Sequence, residues 1–239
     1  MTKPRLPSSR FLLFCAGLLV SFSNAPAQST LFNVPTTDVQ APGKVYLEAD
    51  FIMHYGSIRN GGYQTYGPRV VVGLAKQTEV GVNVFYTRSS DPEPVEIEPN
   101  FKWQFYTNEE RGLAAAAGFL ITIPLTHRRQ ANTTGIFYVV GSKNFAAKYG
   151  PRFTFGGYSL AGRLEQGTTR SGVIAAYEQP VIGKLSFVTD WFSGNNDYGY
   201  VTPGIGINFS PKKSLYTGYS IGNEGRGNNF LGVYYGHTF

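Results

Sequence analysis

From residue 44 to residue 239, apolar and polar side chains alternate with period 2, and no stretch repeats apolar residues at helical spacing. A chain with that pattern sends its two sets of side chains to opposite faces of pleated strands, so it reads as all-β. The first segment shows this most clearly: Val45, Leu47, Ala49, Phe51, Met53 and Tyr55 share one parity, and Glu48, Asp50 and His54 fall on the other. The same division separates Val95, Ile97, Phe101, Trp103 and Phe105 from Glu96, Glu98, Asn100, Lys102 and Gln104. Val70, Val72 and Leu74 oppose Arg69, and Val80, Val82, Val84 and Tyr86 oppose Glu79 and Asn83. With 29 glycines, 16 tyrosines and 18 phenylalanines against 2 methionines, the composition favours strands and turns over helices.

Alternation alone also fits a soluble sandwich. Three features favour a membrane-spanning barrel instead. Several segments run 10 to 13 residues, near the roughly 9–11 tilted residues that cross a bilayer and beyond the roughly 5–6 of a globular strand. Aromatic residues gather near segment ends, among them Tyr55, Tyr63, Tyr66, Phe105, Tyr106, Trp191 and Phe192, as interfacial girdles do. Short connections at 75–78, 107–111, 182–184 and 211–213 alternate with longer ones at 56–64, 88–94, 124–132, 165–169, 193–197 and 223–228, the pattern of periplasmic turns and outer loops. The expected fold is a closed antiparallel up-and-down transmembrane β-barrel of about 12 strands. They lie near 44–55, 65–75, 79–87, 94–106, 112–123, 133–144, 150–163, 170–181, 185–192, 198–210, 214–222 and 229–239. Phe153 and Phe155 share one parity and Tyr158 and Leu160 the other, which reads as a glycine bulge at Gly156-Gly157 within one strand. A turn there would give 13 strands and part the chain ends across the membrane; 12 keeps both ends periplasmic.

Ahead of the alternating region, Lys3, Arg5 and Arg10 precede an apolar run, Phe11 to Val20, and Ala25-Pro26-Ala27 forms a small-x-small site. This reads as a signal peptide, residues 1–27, cleaved after Ala27 on the way to a bacterial outer membrane. The run falls short of the roughly 20 residues of a helical span. The one cysteine, Cys15, could be read as the acylated first residue of a lipoprotein, but bulky Phe14 stands where a small residue is wanted. Cleavage removes that thiol, and with it any disulfide, zinc-thiolate site or cysteine nucleophile. It also removes three cations and no acid, taking the formal charge from +6 to +3, and no nucleic-acid footprint remains. Residues 28–43, with Pro35 and Pro42, read as a periplasmic segment before the barrel of 44–239, a plug in the lumen being the alternative.

The chain ends with Leu231, Val233, Tyr235 and Phe239 on one parity, His237 standing where an apolar residue is usual. This resembles the C-terminal strand signal of the bacterial outer-membrane β-barrel superfamily, and the resemblance implies recognition by the barrel-assembly machinery. The run from Pro35-Thr-Thr-Asp38 to Pro42-Gly43 and the acidic first strand are similar to small barrels tied to the meta-pathway of phenol degradation, presumed transporters; the likeness covers mainly residues 30–55. The strand count also resembles the 12-stranded oligosaccharide- and nucleoside-specific channels. No binding residue of either group carries over.

The polar parity carries both signs, which makes Glu48, Asp50, His54, Arg69, Glu79, Glu96, Glu98, Lys102, Arg152, Arg163, Glu178 and Asp190 the pore-lining candidates. Enclosed charges demand partners. Either acids and bases segregate onto opposite walls of a wet pore, or they interlock and close it. Twelve strands lie between filled and open barrels, so size does not decide. Barrel enzymes acting on lipid or peptide need a placed base. Among three histidines, only His54 faces inward near a strand's outer end, and Asp50 lies about 13 Å along the strand by its rise, too far for a triad. No catalytic residues, metal site or cofactor are expected. The sequence points to a passive channel for small solutes, with outer-membrane lipid as its other partner; a closed structural or adhesive barrel working through its loops is the alternative.

Overall fold

The computed structural model describes residues 29–129, 131–225 and 228–239, so the expected signal peptide lies outside the described residues. Among these residues the chain forms twelve strands: β1 (Val45–His54), β2 (Tyr63–Ala75), β3 (Thr78–Arg88), β4 (Glu96–Asn108), β5 (Leu113–Pro124), β6 (Thr134–Asn144), β7 (Arg152–Gly162), β8 (Ser171–Ile182), β9 (Leu185–Phe192), β10 (Tyr200–Ser210), β11 (Lys213–Gly222) and β12 (Phe230–Thr238). Each pairs with its chain neighbours in antiparallel fashion, and β1 pairs with β12, closing an all-β barrel with no free edge. The short connections and both ends of the barrel sequence lie at one rim, the longer loops at the other. One connection on the short side, residues 145–151, is longer than the rest.

The register follows from the alternation. Pairing places Glu48 across from Arg69, Glu79 across from Lys102, and Arg152 across from Glu178, so opposite charges meet on the inner face of adjacent strands. The other parity turns outward. Leu74, Val139, Phe155 and Ile182 are each at least half exposed on the outer wall, a continuous apolar surface that a water-soluble sandwich would bury and a bilayer accepts.

The expected bulge at Gly156-Gly157 does not form. Pairing of β7 with β6 and with β8 runs unbroken through both glycines, and register shifts fall elsewhere, toward the short-turn ends of β2, β4, β8 and β10. The hydrophobic parity does switch, but because the interior itself becomes apolar there. Tyr158 and Leu160 point inward and join Ile136, Val140, Ile174, Val188 and Phe192 in a buried cluster. The barrel therefore has a charged inner wall on β1–β4 and a largely apolar one on β5–β9.

Candidate functional site

The segment before β1 occupies the lumen rather than trailing outside as a periplasmic tail. Leu31, Phe32, Val34, Thr36, Thr37 and Gln40 are all buried. Residues 29–36 form a tight turn, Leu31 N–H donating to Val34 O (3.0 Å) and Thr36 N–H to Ser29 O (3.1 Å), which reaches across the barrel from β3–β4 to β9–β11. Irregular backbone enclosed in a barrel needs partners for its amides and carbonyls. The wall's charges supply them. Asp190 Oδ2 accepts from Asn33 N–H (2.6 Å) and Val34 N–H (2.8 Å), and Glu79 Oε2 accepts from Gln40 N–H (2.7 Å). Lys102 Nζ donates to Ser29 O (2.6 Å) and Asp38 O (2.8 Å), and Gln104 Nε2 donates to Thr37 O (2.8 Å). The Ser29 hydroxyl also donates to Glu79.

Side chains complete the seat. Arg152 clamps the Asp38 carboxylate through Nη1 (2.6 Å) and Nη2 (3.0 Å), reaches Thr37 Oγ1 (2.8 Å), and lies 3.7 Å from Glu178. Partial burial pushes the Asp38 carboxyl up, but the Arg152 guanidinium, its hydrogen bonds and Lys102 outweigh that and leave it below its ordinary 3.8. Phe32 enters a slot cut by glycines paired across β10 and β11, Gly204 and Gly218: a Cβ on either would lie 2.6 or 2.8 Å from its ring. Tyr216 and Tyr234 flank that ring at 6.5 and 5.8 Å between centroids.

Ordering costs about 1–2 kcal/mol per residue, while Leu31, Phe32 and Val34, buried, return roughly 1.5–3 kcal/mol each. Three apolar side chains do not hold residues 29–40. Charge-assisted hydrogen bonds, about 1.5–3 kcal/mol each, supply the difference, so the seat is largely polar.

Of the residues singled out from sequence, Glu79, Lys102, Arg152 and Asp190 touch the inserted segment, and Glu178 stands behind Arg152. Arg69 lies 2.8 Å from Glu48 and 3.6 Å from Asp50, and also donates to Asn83 and to Thr30 of the segment. Glu98 takes hydrogen bonds from Asn83 Nδ2 (3.1 Å) and Thr122 Oγ1 (2.8 Å), and Glu96 follows it on the inward parity of β4. His54 donates from Nδ1 to the Asn229 carbonyl and stacks on Tyr63. Arg163 lies one residue past β7, exposed, on the outward parity; the bulge that would have turned it inward is absent. Leu231, Val233 and Tyr235 face outward on β12, and Phe239 is exposed at its end.

A cavity of about 180 Å³ remains between the segment and the loop rim. Asp50, Arg69, Asn83, Glu98 and Asn100 line it from β1–β4, with Ile52 and Phe85 on those same strands, and Leu120, Ile136 and Phe192 line it from β5, β6 and β9. Phe32 and Asn33 of the inserted segment and Tyr198 of the β9–β10 loop also line it. Sequence reasoning missed Tyr198, Asp38 and the glycine slot. The apolar triplet Leu31, Phe32 and Val34 was the available signal, since a solvated tail has no use for it.

No protein-family model matches the chain, and no curated protein does. Among solved structures, a KdgM porin superposes with a TM-score of 0.57 at 10% identity over 81% of this chain and 99% of its own. A KdgM porin in complex with disordered oligogalacturonate gives 0.50 at 8% identity, covering 82% and 98%. An outer membrane channel from Pseudomonas putida F1 gives 0.51 at 12% identity, covering 84% and 97%. The chain thus has, over most of its length and nearly all of theirs, the closed barrel fold of these outer-membrane channels.

Proposed function

We propose that this protein is a passive outer-membrane channel for small solutes, delivered by a cleaved signal peptide and recognised for assembly through Leu231, Val233, Tyr235 and Phe239. Its resting lumen is closed by residues 29–42, and conduction requires that segment to shift. The observation that carries this reading is how the lumen is filled: a separate strap, tied to the wall through the side chains of Glu79, Lys102, Arg152 and Asp190, with backbone pairing to β2 where Gly43 N–H meets Gly73 O. A barrel closed for good would fill its interior with side chains of its own strands. The pore-lining residues of the open state are Glu48, Asp50, Arg69, Glu96 and Glu98 with those the strap releases, Glu79, Lys102, Arg152, Glu178 and Asp190.

The test uses a reversible tether. Thr37 Oγ1 and Ser142 Oγ lie 2.7 Å apart, so the mature chain carrying T37C and S142C, otherwise free of thiols, can be locked by oxidation. In lipid vesicles the oxidised protein is expected to pass small sugars at a rate at least tenfold below the reduced one, and deletion of 28–42 to pass them fastest. Equal flux in all three forms would exclude a mobile strap. A folded protein that conducts in none of them would favour the closed scaffold working through its loops, which the interlocked charges around Arg69 and Arg152 also suit.

A further inference from the structure

The interior charges divide into two sets. Glu79, Lys102, Arg152, Glu178 and Asp190 are occupied in seating the strap, but the carboxylates facing the cavity are not so matched. Arg69 is drawn to Glu48 at 2.8 Å, leaving Asp50 at 3.6 Å from the same nitrogen. Asp50 is only 5% exposed and its Oδ1 has no hydrogen-bond partner. Glu98 is met by an amide and a hydroxyl, both neutral. Lys102, the other cation lining the space, is 3.0 Å from Glu79. Glu96, Glu93 and Asp197 continue the negative charge from Glu98 toward the loop rim. Glu48, Asp50 and Glu98 thus share the one Arg69 guanidinium. Enclosed carboxylates in excess of their cations are costly unless a further cation arrives from outside, and a cleft with surplus negative charge in low dielectric gathers its counter-ion.

We propose that the cavity above the strap binds a small organic cation, its ammonium held at Asp50 and Glu98 and its compact apolar body against Ile52, Leu120, Ile136 and Phe192. This names the solute class of the channel proposed above and rests on that reading for access and release. Volume sets the size. A space of about 180 Å³ is near the roughly 150 Å³ of a cavity that takes one benzene, so one six-membered ring with a single charged substituent fills it. An inorganic ion would leave the apolar side empty, and among the described residues no three acidic, histidine or cysteine groups converge on a point. Tyr198 and Tyr234 also line the cavity, and aromatic side chains attract cations to their ring faces. A polyanion such as an oligogalacturonate would meet repulsion here.

The probes are cyclohexylammonium, cyclohexanol and cyclohexanecarboxylate, alike in ring and different in charge, titrated calorimetrically at pH 7 and constant ionic strength into the mature chain in micelles. The ammonium is expected to bind at least tenfold tighter than the alcohol, with no binding of the carboxylate. D50N and E98Q should each weaken it at least tenfold, and E110Q, an exposed change at the opposite rim, should not. Heat-modifiable migration verifies that each variant is folded, and D50E serves as the charge-retaining control if D50N does not fold. Equal affinity for the alcohol, unchanged affinity in both D50N and E98Q, or complete displacement by equimolar sodium would overturn the proposal. Vesicle flux of an uncharged sugar separates the two readings: flux without ammonium binding retains the channel and rejects the cation site, and binding without flux does the reverse.

Discussion

At the scale of single residues, the interior is set by where side chains are missing as much as by where they are present. Gly204, Gly218 and Gly232 lie side by side across β10, β11 and β12, and Phe32 rests on the first two. G218V would place a Cβ 2.8 Å from the Phe32 ring and 2.9 Å from Thr202, before its methyls are counted. The ring must leave, and the strap loses the roughly 1.5–3 kcal/mol of that burial. The expected outcome is sugar flux raised several-fold over wild type with barrel migration on gels unchanged; flux equal to wild type would show that Phe32 does not hold the strap. Alternation reveals which residues face inward but not what a missing side chain leaves room for. Glu48, Asp50, Arg69, Glu79 and Lys102 were therefore legible from parity alone, whereas the meaning of a strand glycine depends on a residue 172 positions earlier, as for Gly204 and Phe32.

At the scale of elements, the strands were legible because each is long and two-faced, and their observed ends fall within two residues of expectation. The exception is instructive. β7 carries apolar residues on both faces, Phe153 and Phe155 outward and Tyr158 and Leu160 inward, and such a strand loses the contrast on which parity depends. The pairing of β3 with β4 carries its own test. Lys102 and Glu79 are 3.0 Å apart with side chains 3% and 1% exposed, so K102M leaves an enclosed carboxylate without its cation. A loss of about 3–5 kcal/mol is expected for breaking such a pair, read from urea unfolding in micelles, with much of it recovered in the double variant E79Q/K102M. No recovery in the double variant would mean that Lys102 acts chiefly through the Ser29 and Asp38 carbonyls.

At the scale of the whole molecule, barrel and strap are two bodies with different strengths. The wall is a continuous antiparallel ladder; the strap is a set of polar contacts to ionisable groups, of which Asp38 is the one the strap itself contributes. Asp38 is 35% exposed on its side chain and its carboxyl is held below 3.8 by Arg152. A carboxyl with a depressed folded value contributes stability that is present above its unfolded pKa and lost as pH falls through the folded one. The contribution of Asp38 to strap seating should therefore be constant from pH 7 to about 4 and be lost below that. The measurement is flux against pH, with D38N expected to raise flux at pH 7 and to flatten the acidic rise. A rise beginning near pH 6 would point away from Asp38.

Closure of the barrel depends on β1 meeting β12, so the wall is sealed only when the last strand is in place. Residues 29–42 precede β1 and are available from the start. Their first contacts in chain order, Thr30 with Arg69, Ser29 and Gln40 with Glu79 and Ser29 with Lys102, involve β2, β3 and β4; Arg152 and Asp190 add theirs from β7 and β9. A sheet built only as far as β4 would thus already offer these partners to the object it is to enclose. What closes the finished tube can serve earlier as the mandrel around which the tube is rolled, giving buried charges their partners before the opposite wall exists.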